Sequence, residues 1–286
     1  MHASRVRLIR HDGAGMQFEV AFAAPARAVA AYAREYVGWI DRSTRPARRR
    51  ELPSGNVPLI INFGGRVRER KAGAGAWIEH GSFTAGLHDA YSVVESAGPN
   101  EGLQVNFTVL GARLFYDRPL ADLANRTVDV ADVLGRAGTR LIEQLHDAPS
   151  WEARFDLVDR EIASRVAAAR RPAREVIWTW QRLRATRGQA RIADLAREAG
   201  WSRRHLAVQF RNEIGLTPKA FARTLRFSTA VRILTSPDGA SLAEVAQACG
   251  YFDQAHFTHD FRAFAGTTPI ALLESRYPAD TGYRAD

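Results

Sequence analysis

The feature that most limits what this chain can fold into is an internal repeat in its last third. Ala196 and Gly200 recur fifty residues later as Ala246 and Gly250. Ser202, Leu206, Phe210, Gly215 and Pro218 recur fifty-one residues later as Asp253, Phe257, Phe261, Gly266 and Pro269. Self-similarity at a fixed period marks one supersecondary unit used twice. The extra residue falls in the turn, where an insertion costs least.

Each copy reads as helix, turn, helix. In the first, Ile192, Leu195, Ala196 and Ala199 form an apolar stripe, Gly200 stops the helix, and Ser202 caps the next one. Leu206 and Phe210 lie one turn apart and point inward. In the second, Ser241 and Glu244 have the spacing of a capping box. Leu242, Val245, Ala246 and Cys249 make its stripe, Gly250 turns the chain, and Asp253 caps the helix that carries Phe257 and Phe261. The units span about 191–212 and 241–263. Between them, Lys219 to Thr235 is one helical stretch bearing Phe221, Leu225, Phe227, Val231 and Leu234. Its length of about 25 Å, at ~1.5 Å per residue, suits two helices held near the ~34 Å between successive major grooves on one face of a duplex. Thr217-Pro218 and Thr268-Pro269 read as turn stops.

Two inward side chains one turn apart leave the other face of each second helix free. Those faces carry Arg203, Arg204 and Arg211 in the first copy, and Gln254, His256, His259 and Arg262 in the second. Such side chains reach phosphates and base edges. The run Leu242-Ala243-Glu244-Val245-Ala246, Gly250-Tyr251, His256-Phe257-Thr258, Phe261 and Gly266-Thr267-Thr268-Pro269 resembles the second-unit signature of the AraC/XylS family of bacterial transcription regulators. Ala193-Asp194-Leu195-Ala196, Ser202 to Leu206, Phe210 and Gly215-Leu216-Thr217-Pro218 are similar to the first unit, and Arg226 to Ala230 to the linker helix. The resemblance covers roughly residues 172–278. It implies an all-α domain that binds double-stranded DNA as an activator or repressor, and RNA polymerase as a partner if it activates. By the same resemblance the base-reading positions are Arg204, Ala207 and Val208, then Gln254, Ala255, His256 and His259. Ala207 and Val208 suit thymine methyl groups. His259 stands where arginine is frequent in the family.

Composition agrees. The 286 residues suffice for about two domains. The net charge of +9 suits a polyanionic partner. No apolar run approaches the ~20 residues that span a bilayer. Met1 to Arg10 lacks the apolar core of a secretory signal. Cys249 is the one cysteine, which leaves no intramolecular disulfide and no cysteine metal cluster. A cytoplasmic protein is expected, with no membrane contact.

Residues 1–170 differ in pattern. Leu59 to Phe63, Tyr91 to Val94 and Leu103 to Val109 read as short strands between turn residues. Together they predict a mixed domain with a small antiparallel sheet or barrel, so the whole chain is α+β. Ala24 to Ile40, alanine-rich, is read as helical. Ser150 caps a helix carrying Trp151, Phe155, Val158, Ile162 and Val166, which ends near Pro172. This region loosely resembles the sensor-like domains that precede such units, and the resemblance implies effector binding or dimerisation. Candidate effector-lining residues are Trp39, Asn62, Trp77, Phe83, Gln104, Asn106 and Phe107. His80 and His88 lack metal-site spacing and read as surface or loop histidines; no metal and no cofactor are expected. Cys249 reads as packing.

An enzyme fused to a DNA-binding module is disfavoured. An alkyl transferase needs reactive and zinc-binding cysteines, and a hydrolase built on His88 and Asp89 lacks a nucleophile. The standing alternative is a non-specific or architectural DNA-binding protein without an effector.

Overall fold

The computed structural model describes residues 5–13, 16–43, 46–73, 75–96, 98–237, 239–276 and 282–285. The last two positions of the expected 172–278 span lie outside them, as do Met1 to Ser4 and Ala74.

Ten strands come first: β1 (Val6–Gly13), β2 (Met16–Ala23), β3 (Ala33–Asp41), β4 (Ala47–Glu51), β5 (Asn56–Asn62), β6 (Val67–Lys71), β7 (Ile78–His80), β8 (Phe83–Ala85), β9 (Ser92–Ser96) and β10 (Asn100–Thr108). Then follow α1 (Val109–Phe115), a 3-10 turn at Leu120–Leu123, β11 (Thr127–Asp129), α2 (Val130–Leu134), α3 (Arg136–Asp147) and α4 (Trp151–Ala168). The second half is helical: α5 (Arg174–Ala185), α6 (Ile192–Glu198), α7 (Arg203–Ile214), α8 (Pro218–Leu234), α9 (Leu242–Ala248), α10 (Gln254–Ala265) and α11 (Pro269–Glu274). A short strand, β12 (Tyr283–Arg284), follows.

The strands form two antiparallel sheets, one in the order β1-β2-β3-β10-β5-β8-β11 and one in the order β12-β4-β9-β6-β7. Alternation along β10 decides what the first sheet buries. Leu103, Val105 and Phe107 are buried, while Gln104 and Asn106 are only half-buried. Register aligns Val105 with Leu59 on β5 and Tyr36 on β3, so these side chains share a face. That face packs on helices: Phe107 lies 4.7 Å from Phe115 of α1, and Tyr36 lies 5.6 Å from Phe155 of α4. The Tyr36 hydroxyl donates to Asp159 Oδ1 at 2.6 Å, which satisfies a polar pair inside an apolar layer. The opposite face looks onto the second sheet, where the Phe83 and His80 rings stand 5.3 Å apart.

Several expectations change here. Ala24 to Ile40 is not a helix: residues 27–32 are turns and β3 follows. Alanine supplies helix propensity, but Tyr36-Val37-Gly38-Trp39-Ile40 fits a pleated surface, and pairing with β2 and β10 overrides propensity. His80 is no surface histidine. It is 6% exposed on β7, with Glu69 Oε2 at 3.5 Å and Asp129 Oδ1 at 3.7 Å. Ser150 does cap α4, accepting from Ala153 N at 3.2 Å.

The two halves share a core. One apolar cluster runs from Ala21 through α1, α3 and α4 into Val176, Trp180, Leu195, Phe210, Phe221 and Ala222. A second cluster holds Phe227, Ala230, Val245, Phe257, Phe261 and Phe264. Polar contacts also cross between the halves. Arg113 Nε donates to Glu213 Oε2 at 2.6 Å, Arg50 Nη1 donates to the Ala265 carbonyl at 2.8 Å, and β12 pairs with β4.

Candidate DNA interface

The repeat is a structural repeat, hydrogen bond for hydrogen bond. After α6, Gly200 N donates to Arg197 O at 3.0 Å and Trp201 N to Ala196 O at 2.9 Å. After α9, Gly250 N donates to Gln247 O and Tyr251 N to Ala246 O, both at 3.0 Å. This paired closure needs a left-handed residue, and Gly200 and Gly250 supply it at φ 70° and 71°. Each second helix is then capped by the residue the sequence indicates. Ser202 Oγ accepts from His205 N at 3.1 Å, and Asp253 Oδ1 accepts from His256 N at 2.7 Å. The Ser241–Glu244 capping box is complete.

Thr217-Pro218 and Thr268-Pro269 open helices; they do not stop the chain. Thr217 Oγ1 accepts from Ala220 N and Thr268 Oγ1 from Ala271 N, each at 3.2 Å, with proline in the first turn of α8 and α11. Proline tolerates that position because its missing N–H has no helical partner there.

The linker helix α8 fixes both units. Its Phe221 and Ala222 belong to the first apolar cluster, and its Phe227, Ala230 and Leu234 to the second. Arg223 Nη2 donates to Asp260 Oδ1 on α10 at 2.8 Å, and its guanidinium lies 5.2 Å from the centre of the Phe264 ring. Arg226 Nη1 donates to the Gly188 carbonyl at 3.3 Å and its guanidinium lies over Tyr251. Helices α7 and α10 are thereby carried by one rigid element.

The outward faces are open. On α7, Arg203, Arg204, Val208 and Arg211 are exposed and Ala207 is half-buried. On α10, Gln254, Ala255, His256, His259 and Arg262 are all exposed. Among the described residues none of Arg203, Arg204, Arg211 and Arg262 is held in an ion pair. Cys249 is 1% exposed, and burial raises its thiol pKa. Sequence reasoning missed Phe252, which is 93% exposed directly before the Asp253 cap. The signal was available: a helix-turn-helix turn has no inner partner for a side chain between Gly250–Tyr251 and the cap.

The effector candidates divide. Register puts Trp39, Asn62, Phe83, Gln104 and Asn106 on one face of the first sheet, the face toward the second sheet. Trp39 Nε1 donates to Asn100 Oδ1 at 2.5 Å and Gln104 Nε2 to Asn106 Oδ1 at 2.7 Å. The Oδ1 of Asn62 is buried without a hydrogen-bond donor. Phe107 lies on the opposite, helix-packed face. Trp77 belongs to neither group. The guanidinium carbons of Arg48, Arg68 and Arg70 stand 5.8, 5.5 and 4.8 Å from its ring centre.

Residues 195–275 match the family described as "Helix-turn-helix domain". Residues 22–129 match "Domain of unknown function (DUF6597)". No curated protein matches. Among solved structures, the chain is similar to the C-terminal domain of AraT, a response regulator from Geobacillus stearothermophilus (19% identity, 39% of this chain and 93% of that one, TM-score 0.35). It is similar to a transcriptional regulator with an AraC-type DNA-binding domain from Chromobacterium violaceum (25% identity, 34% and 86%, TM-score 0.31). It is also similar to ToxT from Vibrio cholerae (11% identity, 90% and 97%, TM-score 0.45). Among the described residues no helix is long and apolar enough to cross a membrane.

Proposed function

We propose, from the premise that the last third of this chain is an AraC-type helix-turn-helix domain, that the protein is a sequence-specific regulator of transcription in the bacterial cytoplasm. The observation that carries this is the pair of exposed recognition faces on one linker helix, with their arginines outside any described ion pair. Helix α7 enters one segment of the major groove and α10 the next. Arg203, Arg211 and Arg262 neutralise phosphates. Arg204, Ala207 and Val208 read one block of bases, and Gln254, Ala255, His256 and His259 the other. The chain acts by occupancy of DNA and carries out no reaction. Residues 1–170 form its effector-binding or dimerisation domain and 172–278 its DNA-binding domain. The effector is a small molecule held on the face shared by Trp39, Asn62, Phe83, Gln104 and Asn106. RNA polymerase is a partner where the protein activates, and a homodimer forms through the first domain.

The test is selection of bound duplexes from a random library with the full-length protein, repeated with Arg204→Ala and His256→Ala. The expected result is a motif of two blocks about one helical turn apart, with each substitution relaxing one block. Enrichment of no motif, with affinity that ignores sequence, favours an architectural protein and sinks the regulatory reading. Much of the affinity is expected to fall with salt, as phosphate contacts release counterions.

A further inference from the structure

The junction between the two halves holds a polar cleft of about 530 Å³. Its lining includes Arg113 and Asp117 from the end of α1, Arg170 and Arg171 from the connector to α5, and Asn212 and Glu213 from the last turn of α7. Arg113 is 5% exposed, although it carries a full charge. Its Nε donates to Glu213 Oε2 at 2.6 Å, but its Nη1 has no hydrogen-bond acceptor. The carboxylate nearest to Nη1 is Asp117, whose Oδ1 stands 3.6 Å away and accepts from Arg170 N at 3.0 Å. A buried guanidinium with an unmatched N–H is costly to keep, so an acceptor is missing from this cleft. Arg170 and Arg171 are exposed, and neither side chain forms an ion pair among the described residues.

We infer that this cleft binds a small organic anion through a carboxylate or phosphate group. Three arginines face two carboxylates there, so one positive charge is left over. A planar guanidinium fork matches the oxygens of either group. The buried Nη1 of Arg113 supplies the directional bond, Arg170 and Arg171 supply charge at the mouth, and the Asn212 amide supplies a neutral donor. A duplex phosphate does not qualify, because the DNA backbone cannot follow to a group that is 5% exposed. The site is separate from the sheet face assigned above to an effector. Occupied, it would tie α1 and the connector to the base of the first recognition helix.

The test uses the full-length protein with citrate and with inorganic pyrophosphate, each titrated calorimetrically at constant ionic strength against chloride. Saturable binding of at least one is expected, and the preferred one names the group. Arg170→Ala and Arg171→Ala sit on exposed side chains, and the double variant should fold as the parent does. It should bind about tenfold or more weakly, the effect of losing a charged hydrogen bond. Arg113→Lys keeps the charge without the fork and should bind more weakly still. No saturable binding of either anion overturns the inference, and so does a double variant that binds like the parent. Because heat of anion binding is read without DNA, a chain that selects an operator yet binds neither anion loses this inference alone. A chain that binds an anion yet selects no operator loses only the regulatory reading.

Discussion

Arg223 on the linker helix and Asp260 on the second recognition helix meet at 2.8 Å, and Asp260 is only 6% exposed. The pair decides how α10 is aimed, because Asp260 sits on the inner side of the helix whose outer side carries His256 and His259. Arg223→Ala leaves a buried carboxylate alone. Since the Arg223 side chain is 39% exposed, the expected loss is about 2 kcal/mol, below the full cost of breaking a fully buried pair. Urea unfolding measures it. Specificity in the second base block should relax while the first block is kept; equal relaxation of both would refute the assigned role.

Gly200 and Gly266 share a left-handed backbone, at φ 70° and 68°, but not their surroundings. A Cβ on Gly200 meets nothing within 4 Å, whereas one on Gly266 would lie 2.1 Å from the Tyr91 ring. Gly200→Ala should therefore cost only the conformational penalty of roughly 1–2 kcal/mol. Gly266→Ala should cost clearly more and should push the second unit off the first domain. Adding Tyr91→Ala to Gly266→Ala should recover part of the difference. Equal thermal shifts for the two single variants would mean that the Tyr91 contact does not hold the halves together.

Phe252 is 93% exposed, so Phe252→Ala should leave stability within about 0.5 kcal/mol of the parent. Its position before the α10 cap places it beside the second base block. Operator affinity should fall, and most at a thymine-bearing position, where the ring meets a methyl group. Unchanged affinity across operator variants would remove Phe252 from the interface.

Acid should weaken the first domain through Glu69. Burial works to raise its pKa, but hydrogen bonds from His80, Thr127 and Ser92 and the charge of Lys71 outweigh it, and the pKa is lowered to about 2. The folded value is below the unfolded one, so the contribution is fully present above the ordinary 4.5 and is lost as pH falls from there through about 2. Glu69→Gln should flatten the fall in urea midpoint across that window. An identical pH profile in the variant would show that another group controls acid stability.

The C-terminal half was legible because caps, turn glycines and stripes are chemical identities at fixed spacing. Ser202, Ser241, Asp253, Gly200 and Gly250 each do locally what their residue types allow. The sheets were half legible. Strands β5, β9 and β10 announce themselves by apolar alternation, but Ala47 to Glu51 and Val67 to Lys71 are rich in charge. They become strands because β9 pairs with both, and cross-strand partners cannot be read from one segment. His80 was misread for the same reason: its partners Glu69 and Asp129 come from other strands. The recognition faces were visible as helical spacing, while Phe252 stood in a turn where periodicity says nothing. The junction cleft could not be seen at all, since Arg113 and Glu213 are a hundred residues apart in the chain.

A single straight helix shared by two cores also behaves as a measuring rod. With α8 continuous from Pro218 to Leu234 and fixed at both ends, the protein prescribes both the phase and the distance between its two blocks of bases. One added base pair between the blocks would rotate the second out of reach. An added full turn of about ten would restore the rotation yet leave the second helix short of its groove. A flexible tether would forgive the full turn; this one should forgive neither, so spacing in its target sites is expected to be invariant even where the bases are not.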